Sequence, residues 1–455
     1  MGAGALLTVS LCLVGPSIGH SEQAIEAISF PGPPDSAEPQ SGVVAGKSGN
    51  LYGVSFRGGL KEDIDGFGVG TVFSLTPDPT HETLYKGRTL FKFSDAPSID
   101  SGHYPVGGVI IGKTGTLYGV TRDHWDGHGG DGGGTIYALK PPSSASLAWD
   151  HNVLFSFRAI GGTPLAGLVI GQDGALYGTT SIGGGLCYSG TVFRFKPNGS
   201  ATGGSYRDIY RFKGLSGDPR CPKNPTLNNG MTPAARLTLG NDGILFGTTA
   251  FGGQRPGHGP GGGGCGVVFS LTPPVTATAE WKLDVLLRFL CVENGKGEAP
   301  AAAVSIGRDG SLYGTTENGG ISPDESSRRG YGIVFQLTPP DPVTGKREPK
   351  NLWRFTGGLG GESPLGGVLE TSSGVLYGTT NGGGRHGGGT IFRLVRQPSG
   401  WWKHEVLHHF TGVDDGAYPS GDLLLLNGAL IGTTSGGGAH NSGTVYRLQV
   451  ESPPT

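Results

Sequence analysis

Gly167-Leu-Val-Ile-Gly-Gln-Asp173-Gly174-Ala-Leu176-Tyr177-Gly178-Thr179-Thr180 is followed, after a glycine-rich stretch, by Gly190-Thr191-Val192-Phe193-Arg-Phe195. The first part reads as two short strands joined by a tight turn. Asp-Gly supplies the positive φ that a two-residue hairpin turn needs, and the same signal stands at Asp242-Gly243, Asp309-Gly310 and Asn427-Gly428. Gly190 to Phe195 reads as a third strand. A variable Pro-rich loop then leads to a fourth strand that ends in Phe, as at Phe93, Phe157, Phe212, Phe289, Phe355 and Phe410.

The phrase recurs along the whole chain. Its third strand starts at Gly70, Gly134, Gly190, Gly266, Gly332, Gly389 and Gly443, a period of about 62 residues. Only six fourth strands follow these seven starts. The seventh lies at the other end, at Ile28-Ser29-Phe30, and Pro39 beyond it matches Pro419 beyond Phe410. An N-terminal strand that completes the last repeat closes a ring and protects the sheet edges, whereas an open solenoid would need caps. The expected fold is therefore all-β: one seven-bladed β-propeller with four-stranded blades, from about residue 24 to 450, followed by a tail at 451–455.

Glycine and proline, 89 and 32 residues of 455, reach a level usual for disordered chains. Aromatic residues at 9% and a formal net charge of −2 argue for an ordered core in which the glycines serve turns. That charge balance gives no field for nucleic acid or an anionic membrane. Residues 4 to 15 form an uncharged apolar run, with small Ser17 and Gly19 following, so 1–19 reads as an export signal although no Lys or Arg precedes it. The run is too short to span a bilayer.

The motif Leu-Tyr-Gly-Thr-Thr-x-x-Gly-Gly followed by Gly-Thr-Val-Phe resembles the GloVer repeat, known from Gloeobacter and Verrucomicrobia. The resemblance covers nearly the whole chain beyond the signal. Departures are local: Val54 and Val120 replace a Thr, and Phe246 and Ile431 replace the Tyr. The resemblance implies a secreted or surface-exposed bacterial propeller. It supplies no activity that could be carried over residue by residue.

Removing the signal leaves Cys187, Cys221, Cys265 and Cys291, none spaced as a CxxC zinc or redox centre. Four cysteines allow three pairings. In the repeat register, Cys187 and Cys265 fall between second and third strands, and Cys221 and Cys291 fall in the loops after the same repeats. The expected disulfides are therefore Cys187–Cys221 and Cys265–Cys291, each worth about 3 kcal/mol from chain entropy.

Alternate loops of an antiparallel meander share a face, so the glycine-rich loops and the loops between repeats lie together. They vary most in length and side chains, which places specific function there. The loop of the second repeat, Arg122-Asp123-His124-Trp125-Asp126-Gly127-His128, holds the one Trp of six in such a position. An exposed ring flanked by carboxylates and imidazoles suits a saccharide. His103, Tyr104, Arg385, His386 and His440 fall on the same face, as do Arg57, Glu62, Glu317 and Asn441. No spacing among them selects a catalytic acid and base. Asp63-Ile64-Asp65-Gly66 lacks the remaining ligands of a calcium loop, and Gly261 to Gly264 lack the Lys-Ser/Thr of a phosphate loop. Neighbouring His408 and His409 point to opposite faces of a strand. No metal or cofactor is expected. The functional expectation is a secreted, monomeric binding protein for a glycan or an extracellular partner. A polysaccharide lyase or glycosidase using the same face is the alternative.

Overall fold

A computed structural model describes residues 9–10, 25–32, 35–59, 68–79, 85–94, 102–123, 133–143, 148–184, 189–199, 203–213, 229–253, 264–276, 279–290, 297–321 and 330–450. Seven antiparallel sheets follow one another around a ring, and every blade has the strand order of the repeat. The third blade shows the plan: Val169–Ile170, Leu176–Thr180, Thr191–Pro197 and Gly204–Arg211 run from the axis outward. Among the described residues no helix is long and apolar enough to cross a membrane.

The ring closes as the sequence predicts. Ile25–Ser29 is the outer strand of the seventh blade, antiparallel to Thr444–Gln449, with Ile25 opposite Leu448 and Ser29 opposite Thr444. Phe30 N–H donates to the Gly443 carbonyl, the bond that Phe93, Phe212, Phe289, Phe355 and Phe410 make to the leading glycine of their own third strands. Two further residues, Val9–Ser10, pair along the outer edge of this strand.

Each word of the repeat has a packing reason. In Leu-Tyr-Gly, the glycine lies under the third-strand aromatic ring; a Cβ at Gly178 would stand 2.5 Å from Phe193 Cζ. The second Thr of the motif and the Thr of Gly-Thr-Val-Phe share a buried hydrogen bond, 2.9 Å for Thr180–Thr191. The first Thr of the motif serves the neighbouring blade: Thr248, Thr315 and Thr433 donate to the Ala302, Gly366 and Ser41 carbonyls. Core clusters straddle neighbouring blades: Tyr177 and Val192 of the third pack with Leu237, Leu245 and Phe269 of the fourth. Ile28, Phe30 and Val445 of the seventh pack with Leu51 and Phe73 of the first, so the core continues through the closure.

The hairpin turns differ from the expected two-residue form. Gly171 N–H donates to Ala175 O and Gly174 N–H to Gly171 O, which makes a three-residue loop with only Gly174 at positive φ (72°). Asp173 keeps an ordinary φ and uses its carboxylate to accept the Ala175 N–H at 3.0 Å. Asp242 and Asp309 do the same for Ile244 and Ser311. The Asp is thus selected for its side-chain acceptor and the Gly for its backbone. Asn427 and Gly428, at φ 51° and 74°, form the one two-residue turn among these four, between paired Leu426 and Ala429.

A second recurrent device joins the blades. The residue before the inner-strand proline adopts a left-handed φ of 52–61° at Glu38, Tyr104, Thr232, Ala299, Ser363 and Tyr418. This conformation is unfavourable for side chains with a Cβ, and more so before proline. Two backbone bonds hold it: Thr232 N–H donates to Ser189 O of the preceding blade, and Thr232 O accepts from Ala250 N–H of its own.

Candidate functional site

A proline stands in or a few residues before the inner strand of each blade, and residues just after it line the channel. The third of them is Gly42, Gly108, Gly167, Arg236, Ala303, Gly367 and Asp422 around the ring. Small residues are demanded because neighbouring backbones touch there: a Cβ at Gly42 would meet Asp422 O at 2.3 Å. The two exceptions carry opposite charges on the fourth and seventh blades, three blades apart. Arg236 Nη2 and Asp422 Oδ2 lie 3.2 Å apart, so the pair crosses the lumen. Asp422 Oδ1 also accepts the Gly367 N–H at 3.0 Å.

This pair is a common wall of two cavities. One, about 400 Å3, is the channel proper, lined by residues of all seven blades. The other, about 760 Å3, reaches from Arg236 and Asp422 to the hairpin turns of the fourth and fifth blades at Asp242 and Arg308. It therefore opens opposite the glycine-rich loops. Its wall includes Arg347, whose guanidinium donates to the Gly310 and Thr338 carbonyls and sits 5.9 Å over the Phe246 ring. Partial burial lowers the Arg347 pKa from its ordinary value, against the opposing pull of Asp309. Sequence reading missed Arg236 and Asp422. The signal was available: a position held by Gly or Ala in five repeats and charged in two.

On the glycine-rich face the expected site residues separate. His103 is buried and donates through Nε2 to the Ser94 carbonyl at 3.1 Å, facing inward rather than outward. Tyr104 stacks on Phe56 at 4.8 Å. Asp123 pairs with His103 across the strands and with Arg122 as an exposed ion pair at 3.4 Å. Arg385, His386 and His440 are exposed in the loops of the sixth and seventh blades. His124, Trp125, Asp126 and His128 lie outside the described residues, as do Glu62, Asp63 to Gly66, Cys187, Cys221 and Cys291. Seven of the eleven exposed large apolar residues described sit on this face, namely Ile160, Ile182, Phe251, Ile321, Leu359, Val413 and Tyr418.

Three other histidines are explained by packing. His151 stacks on Phe91 at 4.1 Å and His404 on Trp353 at 4.7 Å, between adjacent outer strands. Burial drives the pKa of each down to about 4, with a small opposing pull from Asp150 or Glu405. His408 Nε2 meets Asp415 Oδ2 at 2.8 Å inside the fold, and Asp415 also accepts the Thr411 N–H. Burial alone would raise the Asp415 pKa, but these hydrogen bonds hold it below the usual carboxylate value. His409 stands beside Gly384 instead, so the two neighbouring histidines do part.

The Gloeobacter/Verrucomicrobia repeat, as a family model, matches residues 19–227 and 258–453. No curated protein matches the chain in sequence. PorZ, an essential bacterial surface component of the type-IX secretion system of Porphyromonas gingivalis, superposes with a TM-score of 0.52 at 11% identity. The superposition covers 98% of this chain and 52% of PorZ. An α-L-arabinanase of Penicillium chrysogenum, complexed with arabinobiose, aligns at 15% identity over 79% of this chain and 96% of its own, with a TM-score of 0.44. A putative oxidoreductase (glucose dehydrogenase) from Thermus thermophilus gives 16%, 76%, 96% and 0.40 in the same terms. At these identities the PorZ likeness bears on fold alone.

Proposed function

The chain belongs to the Gloeobacter/Verrucomicrobia repeat family, and from that premise we propose that it is an exported, non-catalytic binding protein whose glycine-rich loop face docks an extracellular partner. The observation that carries this reading is the distribution of exposed apolar side chains. Ile160, Ile182, Phe251, Ile321, Leu359, Val413 and Tyr418 all crown that one face. Solvated apolar residues gathered on one side of a molecule favour association. The frame beneath them is stiff: proline-preceding residues such as Thr232 and Ser363 are bonded to two blades at once. Rigid support with variable loops is how binding surfaces are commonly built. The aliphatic character favours a protein partner, while Arg122, Asp123, Arg385, His386 and His440 add the polar groups a glycan would need. Trp125 is the proposed stacking contact for a saccharide on this face, with His124, Asp126 and His128 beside it.

Export fits the cysteines. In the repeat register Cys265 falls with Cys291 and Cys187 with Cys221, and a bridge within each pair is part of this proposal. Non-reducing peptide mapping of exported protein should find both bridges, and four free thiols would remove this support. The docking reading is tested with Leu359→Ser/Val413→Ser and, separately, Trp125→Ala. Retention on immobilised cell-surface extract and on polysaccharide affinity gels is measured beside Tm. Loss of retention at unchanged Tm supports the reading. Unchanged retention, or turnover of any polysaccharide in the panel, sinks it.

A further inference from the structure

The cavity of about 760 Å3 on the hairpin face belongs to neither the loop-face reading nor the packing of the blades. Its volume falls within the range of small-ligand sites. Three features of its chemistry narrow the ligand. Its inner end is formed by Arg236 and Asp422, whose side chains keep 39% and 36% of their surface exposed although they are paired. A guanidinium donor and a carboxylate acceptor 3.2 Å apart match two neighbouring hydroxyls, since each hydroxyl both donates and accepts. The walls carry Leu239, Ile306 and Leu369, and Ile306 is 39% exposed. These apolar faces suit the C–H surface of a ring with polar edges.

Charge decides between ligand classes. Arg236 is matched by Asp422, while Arg347 is engaged by two carbonyls. At the mouth, Arg308 is accompanied by Asp242 and by Glu370, which accepts the Arg308 N–H at 2.9 Å. Positive and negative groups thus nearly cancel, which removes the advantage an anionic ligand would have. The Arg236–Asp422 pair spans the lumen at the inner end, so a chain entering here meets a barrier. A terminus or a short oligomer fits; the interior of a polymer does not.

We infer that the hairpin-face cavity binds the end of a neutral oligosaccharide, with Arg236 and Asp422 holding adjacent hydroxyls and Leu239, Ile306 and Leu369 covering the sugar ring. This inference does not depend on the loop-face reading. Calorimetric titration of the full chain with cellobiose, xylobiose, galactobiose and maltotriose, against trigalacturonate, tests it. At least one neutral saccharide should bind one-to-one with a Kd of about 10 mM or tighter, more tightly than the uronate. Arg236→Gln should weaken that binding about tenfold or more. Ile306→Trp, which fills the mouth from an exposed position, should do the same at unchanged Tm and covers the case in which Arg236→Gln fails to fold. Absence of neutral saccharide binding, equal binding by Ile306→Trp, or tighter uronate binding overturns the inference.

Discussion

At the scale of single residues, the repeat motif is a set of contacts that tolerate no added atom. Gly178→Ala would place a Cβ 2.5 Å from the Phe193 ring, which is fully buried and has nowhere to move. The expected cost is about 1–3 kcal/mol from overpacking. Gly360→Ala, with open space around its Cβ and no positive φ, should be within about 0.5 kcal/mol of neutral. Denaturant midpoints of the two variants check this contrast. The stacked imidazoles give a second expectation. His151 and His404 titrate near 4 when folded, against an ordinary value of 6.5, because burial disfavours their charged form. The unfolded chain therefore binds more protons between pH 6.5 and about 4, and stability falls as pH drops through that window. Asp415 acts in a lower window, since its folded pKa lies below the carboxylate's ordinary 3.8. Melting curves at pH 7 and 4.5 should differ clearly for the natural protein and much less for His151→Phe/His404→Phe. An equal drop in both would show that these rings do not govern it.

At the scale of elements, the blade is the unit, and the seventh is built from both chain ends. Strand Ile25–Ser29 contributes the fourth strand of that blade, and its buried residues Ile25, Ala27 and Ile28, with Phe30 just beyond, complete two inter-blade clusters. Removing it uncovers the Thr444–Gln449 strand and empties sites that the remaining chain cannot fill. Loss of a single buried Phe of this kind costs about 3–5 kcal/mol. A chain starting at residue 41 should accordingly melt far below one starting at residue 20. A synthetic peptide of residues 24–40 added in trans should recover part of the loss. Identical melting of the two chains would contradict the closure. The turns teach a narrower lesson: Asp-Gly announced a hairpin correctly at Asp173, Asp242 and Asp309, but not its length.

At the scale of the whole molecule, two candidates for holding the ring shut can be ranked by magnitude. The cross-lumen pair Arg236–Asp422 is more than a third exposed on both sides, and such pairs contribute about 0–1 kcal/mol. The hydrophobic clusters between blades, closed through Phe30 and Phe73, are worth several times more. Asp422→Asn should thus move Tm by no more than a few degrees, whereas Phe73→Ala should destabilise by about 3–5 kcal/mol. A large Tm loss in Asp422→Asn would give the pair a structural weight that its exposure argues against.

The sequence alone determined the number of blades, the strands within each and the closure by Ile28 to Phe30. Those follow from local periodicity, turn chemistry and a count of seven against six, all of which are written along the chain. Export, read from the apolar run at residues 4–15, and the cysteine pairing, read from register, stand as expectations of the sequence. What only the tertiary structure decided was which residues meet. His103 read as a loop residue on an open face, yet it turns inward to Ser94, because the strand carrying it pairs with Asp123 before reaching solvent. Arg236 and Asp422 are 186 residues apart, and nothing local links them. The closing of seven inner strands on one axis brings them within 3.2 Å, and that distance exists only once the ring is complete.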